Sequence, residues 1–382
     1  MTLNQWLCTA GVCGACGAWL IVLIFLYARR YVDATSAVAV ALIFAFGTYF
    51  LAYSTVFFPH VPTAAFLFAA FMMRDRPLLA GLFAGAAVLC TYIAIVAVAI
   101  LFLDRLRDAW KWVAGGVPCA VILLAYQFAC FGAVFRTSIE TEGDYFKTPG
   151  AFLGVFVFPR LDVLIAVLLT RYRGLFFLSP VLILAIAGAI WMIRNHAAVR
   201  DLTIALGVFA AFLLVVISFN GWHGGSAIGP RYLLPAVPFL AVPMTFVIGR
   251  MRTLTLLLAA ISFIFNFAVT AVNPIPSRRI ADPIFRYTFP LLVTGKLPAD
   301  TPPYPPLVWK ISLGHVSVNR NPADDAVAFR KHPPGSAASE WASFNLGELF
   351  APGSVPSLLP VALWIAAGSA FLLRQSQKRA DV

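Results

Sequence analysis

The residues whose types and spacing could do chemistry gather in the segment 220–232, Asn-Gly-Trp-His-Gly-Gly-Ser-Ala-Ile-Gly-Pro-Arg-Tyr. Its four glycines let the backbone come close to a ligand or to itself. Arg231 is the only formal charge in the segment, and a guanidinium at the mouth of a helix can hold a phosphate through two parallel hydrogen bonds. The same side chain would serve equally as a headgroup anchor or as the structural partner of a carboxylate. Trp222 and Tyr232 carry rings suited to a membrane interface. His223 can act as an acid, a base or a phosphate ligand, and so can His60, which follows Phe57-Phe58-Pro59 at the end of an apolar segment. A lone loop histidine is also commonly structural. No third ligand with suitable spacing joins these two, so they fall short of a metal site.

A second group lies in the loop 132–177. Glu140, Glu142 and Asp144 form its acidic cluster, which can bind a divalent cation or act as a base, and which equally suits a plain solvated loop. The apolar stretch 161–169 is too short to span a bilayer and suits the interface, where it would deliver Arg171 and Arg173 near anionic headgroups. Cys13-x-x-Cys16 has redox or metal-ligand spacing, but it sits among Gly11, Gly14, Ala15 and Gly17, the pattern of a small-residue helix-packing face.

The elements that must position these residues follow from composition. Of 382 residues, 61% are hydrophobic and 12% charged, with a mean hydropathy of +0.87. Soluble chains carry about 25% charged residues. Ten long apolar segments recur at 6–27, 36–53, 56–73, 78–103, 112–131, 178–193, 202–219, 233–248, 254–272 and 357–373. In hydrocarbon the backbone must satisfy itself, which leaves helices or closed barrels, and these runs are apolar on all sides rather than alternating. The expected fold is an all-α polytopic transmembrane bundle with irregular outward loops. Residues 1–273 form its core, 274–356 a proline-rich outward cap, and 357–382 a last helix and tail. The net charge of +12 is scattered through short loops with no basic face or arm, which argues against nucleic acid as a partner.

Half of the 28 Lys and Arg lie in short loops or the tail: Arg29/Arg30, Arg74/Arg76, Arg105/Arg107/Lys111, Arg194/Arg200, Arg250/Arg252 and Arg374/Lys378/Arg379. Such loops mark the cytoplasmic face. A single crossing by 78–103 would put its two basic flanks on opposite faces, yet the stretch is too short for two crossings of ~20 residues each. Two half-length helices turning near Thr91-Tyr92 would place every cluster on one side, giving about nine spans plus a re-entrant pair. One long tilted helix is the alternative, with a single breach of the charge rule. The first helix then starts outside the cytoplasm without a cleavable signal, as expected if one more helix precedes it.

Several segments resemble one family. Tyr172-Arg-Gly-Leu-Phe-Phe-Leu-Ser-Pro180 is similar to the "RGLFFLSPVLLL" helix start of bacterial GT-C-type membrane glycosyltransferases. The stretch from Trp222 to Leu240 is similar to a "W-G-G-x-x-x-G-P-R-Y-L-L-P-x-x-P" pattern in the same family. Thr55-Val-Phe-Phe-Pro-His60 and Ser343-Phe-Asn-Leu-Gly-Glu-Leu349 also fit. The resemblance, nearest to mannosyltransferase-like members, implies transfer of a sugar from a polyprenyl-phosphate donor to an extracytoplasmic acceptor at a bacterial inner membrane, with the C-terminus cytoplasmic. It implies that Arg231 binds the donor phosphate, that Trp222, His223 and Tyr232 line the site, that Arg173 assists at the headgroup, and that His60 faces the same cavity. Family members carry a catalytic carboxylate in the first outward loop, and this chain begins at what resembles their second helix. The expectation is therefore either an upstream start or a shortened relative that binds or carries lipid-linked sugar without catalysis, with Glu140, Glu142 or Asp144 as substitute bases.

Overall fold

A computed structural model describes residues 7–136, 147–276, 278, 280, 282–294 and 355–378. Among these residues the chain is helical, and its only β contacts are the isolated bridges Phe152–Phe156 and Phe156–Phe219. Four helices are long and apolar enough to cross a membrane: α1 (Thr9–Ala28), α7 (Leu106–Phe131), α11 (Val199–Ser218) and α13 (Arg252–Val272). Shorter helices fill the space between them: α2 (Ala34–Gly47), α3 (Phe50–Ser54), α4 (His60–Met72), α5 (Pro77–Cys90), α6 (Tyr92–Leu103), α8 (Leu161–Leu168), α9 (Leu175–Leu178), α10 (Pro180–Arg194) and α12 (Arg231–Met244). The last, α14 (Leu359–Lys378), lies against α2, with the Thr35 and Ser376 hydroxyls 3.1 Å apart.

The centre of the bundle is α4, in which every residue except Phe66 is buried. It packs against α1, α5 and α12, and its Phe68 and Phe71 meet Phe239 of α12 edge-on. The chain breaks after α5, where Thr91 is extended, and the ends of the α5–α6 pair return to each other, since Arg105 is ion-paired with Asp75. α5 and α7 run side by side in the same direction. Gly81 lies against Trp112, Gly85 against Cys119, and Cys90–Tyr92 share a cavity of about 520 Å³ with Ile122 and Tyr126. So α6 must be the return leg. At ~1.5 Å per residue each arm is roughly 20 Å long, short of a ~30 Å hydrocarbon core.

Charged loops converge at one end of the bundle. Arg74 pairs with Asp201 at 2.5 Å, and Arg200 forks onto Asp104 at 2.7 and 3.0 Å. Asp201 is buried and also accepts from the Tyr27 and Tyr31 hydroxyls at 3.1 and 2.9 Å. Nearby, Arg250 lies 4.1 Å over the Trp191 ring, which stacks on Phe246, itself against Tyr31. The loops that link α1 to α2, α4 to α5, α6 to α7, α10 to α11 and α12 to α13 therefore share one surface.

Three apolar segments are less regular than their hydropathy predicts. The stretch 36–53 is not one helix, because Thr48 is extended between α2 and α3. The stretch 178–193 breaks at Ser179, ahead of Pro180. Side chains of α13 stitch both breaks: Ser262 Oγ accepts the Val181 amide at 2.9 Å, and Asn266 Nδ2 donates to the Leu178 carbonyl at 3.0 Å and the Ser262 carbonyl at 2.7 Å. The stretch 233–248 is a 3-10 helix over Arg231–Leu240 that turns α only over Ala241–Met244. Pro235 and Pro238 lack the amide that an α-helix needs at those positions. Within the expected irregular cap, Ile284–Thr288 and Phe289–Thr294 are helical, started by the Asp282 carboxylate accepting the Phe285 amide at 3.0 Å. The rest of the cap that falls in 295–354 lies outside the described residues.

A Cβ at Gly81 would meet the Trp112 carbonyl and one at Gly115 the Leu78 carbonyl, so α5 and α7 touch backbone to backbone. Gly81→Val is expected to cost about 1–3 kcal/mol or more through overpacking, read as a lower melting temperature in detergent. Gly11→Ala, where the added methyl meets open space, should leave that temperature unchanged.

Candidate functional site

At the end opposite the charged loops, the segment 220–232 folds over the tops of α3, α4 and α9. The sequence makes it a coil, because Gly224, Gly225 and Gly229 hold positive φ of 70°, 68° and 61° that residues with a Cβ rarely adopt. Short turns leave carbonyls unpaired, and side chains from elsewhere collect them. Tyr53 donates to the Ile228 carbonyl at 2.9 Å and Tyr49 to the Pro230 carbonyl at 3.3 Å. Arg173 donates to the Ala227 and Gly225 carbonyls, the second at 2.9 Å, and lies 4.3 Å over the Tyr172 ring.

Arg173, expected near the headgroups, lies deeper than a surface arginine would. It is 1% exposed, and two of its nitrogens are committed to loop carbonyls, so its guanidinium works as a clamp on the loop. The residue that meets the surface is Arg171, paired with Asp282 at 3.5 Å and lying over Phe285.

Arg231, Trp222, His223, Tyr232 and His60 do converge. Arg231 lies 4.8 Å over the Phe58 ring and 5.0 Å over Tyr232, and donates to the Tyr232 hydroxyl at 3.0 Å. His60, buried at the start of α4, meets Tyr232, Phe58 and Tyr53 through ring contacts of 5.7 to 6.2 Å. Trp222 is 1% exposed, set edge-on to Tyr172 and His223. His223 Nδ1 accepts the Gly225 amide at 3.0 Å, which assigns the ring proton to Nε2 and leaves that atom a donor.

The electrostatics are one-sided. Burial, then the positive charges of Arg173, Arg278 and Arg231 in that order, push the His223 pKa down to about 3. Among the described residues no carboxylate lies within 4 Å of any of these three arginines. The two described carboxylates at this end, Asp162 and Asp282, pair with Arg160 and Arg171. Three buried donors here have no partner among the described residues: Arg231 Nε, Arg173 Nε and Trp222 Nε1. Buried polar groups are normally bonded, so these donors can serve an acceptor that the described residues do not supply.

Arg278 was not among the residues singled out from the sequence, because it lies in a stretch with no helical or strand period. Its carbonyl accepts the Tyr172 hydroxyl at 2.8 Å, which ties it beside Arg173. The signal that could have found it is the pair Arg278-Arg279, a basic doublet set apart from the clusters of the opposite end. Tyr53 and Phe58 were missed likewise, hidden inside apolar runs. Glu140, Glu142 and Asp144 lie outside the described residues. No group of three metal-ligating side chains occurs among the described residues, and Cys13 and Cys16 sit within α1.

A histidine whose folded pKa lies below its unfolded value near 6.5 stabilises the fold fully above that value and progressively less as pH falls towards 3. Melting temperature in detergent should therefore drop between pH 6.5 and 4, and the drop should be shallower in His223→Asn, which keeps an acceptor for the Gly225 amide. An equal drop in both proteins would remove His223 from this account. No family model, curated protein or solved structure matches the chain, so the site stands on its own geometry.

Proposed function

We propose that this protein is a polytopic membrane protein that holds the phosphate of a polyprenyl-phosphate-linked sugar at the 220–232 end of its bundle and transfers the sugar to an extracytoplasmic acceptor. The observation that carries the reading is the meeting of Arg231, Arg173 and His223 with unpaired buried donors and no described carboxylate within 4 Å of the two arginines. The resemblance of 172–180 and 222–240 to GT-C-type glycosyltransferases supplies the lipid and the sugar. In the bilayer the charged end faces the cytoplasm of a bacterial inner membrane. About nine helices span, and the α5–α6 pair enters and returns from the cytoplasmic side. The cavity at Thr91 suits that placement, because a backbone turn at membrane depth needs protein or a cavity around it.

In the transfer, the bond between the sugar C1 and the phosphate oxygen breaks and its electron pair stays on that oxygen. The acceptor hydroxyl oxygen forms the new bond to C1, and its proton leaves to water. Arg231 stabilises the departing phosphate, as a donor aimed at developing charge does. His223 Nε2–H, held neutral, adds a hydrogen bond without adding charge.

A second reading, a binder of lipid-linked sugar without catalysis, is favoured by one specific observation. Both described carboxylates at this end are engaged by arginines, so neither stands ready as a base.

Arg231→Ala should weaken binding of a polyprenyl-phosphate sugar in nanodiscs by about 10- to 100-fold, the loss expected for one charged hydrogen bond of ~1.5–3 kcal/mol. Unchanged affinity would remove the phosphate role. Vesicles loaded with radiolabelled donor and a panel of acceptors separate the two readings: sugar transfer supports the enzyme, and binding without transfer supports the binder.

A further inference from the structure

The cavity beside Thr91 has a chemistry of its own. The Thr91 amide donates to the Ala87 carbonyl at 3.1 Å, the Thr91 carbonyl accepts the Ala94 amide at 3.1 Å, and there the backbone ladder stops. Among the described residues the Val88, Leu89 and Cys90 carbonyls and the Tyr92 and Ile93 amides have no hydrogen-bond partner. Open backbone groups are costly in hydrocarbon unless something polar meets them. The cavity of about 520 Å³ lies against these groups, and Thr91, Tyr92 and Tyr126 add three hydroxyls to its wall. Leu89 and Ile122 give it an apolar side, and among the described residues its lining carries no formal charge. Its volume falls in the ~300–1,000 Å³ range of small-molecule sites.

The mouth of the cavity faces lipid. Ile122 and Tyr126 are 58% and 56% exposed on α7, a helix long and apolar enough to cross the membrane. At ~1.5 Å per residue the 14 residues of α5 carry Cys90 about 20 Å away from the charged loops. That leaves roughly 10 Å of a ~30 Å hydrocarbon core, so the cavity sits in the leaflet opposite those loops. An ion entering here would find no counter-charge, and an alkane would leave the open carbonyls and amides as they were. A hydroxyl both donates and accepts, and it is neutral.

We propose that the cavity at Thr91 binds a neutral lipid alcohol drawn from the bilayer. Its hydroxyl meets the open carbonyls and amides of the break, and its hydrocarbon lies against Leu89 and Ile122. Water would satisfy the same polar groups, but it would leave the apolar wall unused. The site is separate from the 220–232 segment and depends on neither phosphate binding nor sugar transfer.

The test uses the full chain in nanodiscs and three photoreactive probes that share one long alkyl chain with a diazirine close to its polar end. The probes are the free alcohol, its methyl ether and its phosphate monoester. The alcohol should label peptides containing 89–92 and 122–126 about 3- to 10-fold more than the ether, which has lost its donor, and excess unlabelled alcohol should remove that label. The phosphate should label them no more than the ether does. Ile122→Trp, a change at a half-exposed side chain, should fill the mouth and abolish labelling of 89–92. Val113→Trp, on the lipid-exposed side of the same helix and outside the lining, should leave it unchanged. Equal labelling by alcohol and ether, or label spread evenly over all the lipid-facing helices, overturns the proposal. Absence of label at the break with every probe also overturns it and leaves water as the occupant.

Discussion

A buried backbone group must find a partner, and in this chain that single requirement dictates where the long side chains go. The bundle is built from broken pieces, and each break frees amides and carbonyls that no water can reach. At Thr48 and Ser179 the partners are Ser262 and Asn266 on a helix more than eighty residues further along. At the 220–232 segment they are Tyr49, Tyr53 and Arg173. The fold is held together less by long uniform helices than by polar side chains satisfying interruptions in them.

The two ends of the bundle combine ion pairs and ring contacts in different proportions. At the loop end joining α4 to α5 and α6 to α7, arginines and aspartates pair off, and buried Asp201 gathers one guanidinium and two tyrosine hydroxyls. At the other end arginines lie over aromatic faces and donate to carbonyls. Ring faces and carbonyl oxygens soften the burial of a cation without cancelling its charge.

Much of this was legible in the chain. The one-sided distribution of Lys and Arg favoured a turn inside 78–103 over one long tilted helix, and the break falls at Thr91. Arg231, Trp222, His223 and Tyr232 of the glycine-rich run, together with His60, do lie near one another. The interruptions at Thr48 and Ser179 were not legible, because their partners lie far away in sequence and hydropathy does not register a serine or an asparagine. The 3-10 course of Arg231–Leu240 had a local cause, Pro235 and Pro238 at short spacing, and hydropathy averaged it away. Arg171 and Arg173 were both expected near the headgroups, and two positions along the chain separate a solvated cation from a clamped one. Arg278 carries no pattern of its own and acquires meaning only from Tyr172, which holds it.

The clamp made by Arg173 has a mechanical corollary. Lifting the 220–232 segment would strip a guanidinium of its carbonyl partners while it remained walled in by protein, so the segment is a fixed mould and not a door. Any approach to this end of the bundle therefore meets a wall that does not yield, with the Phe58 and Tyr232 rings beside it.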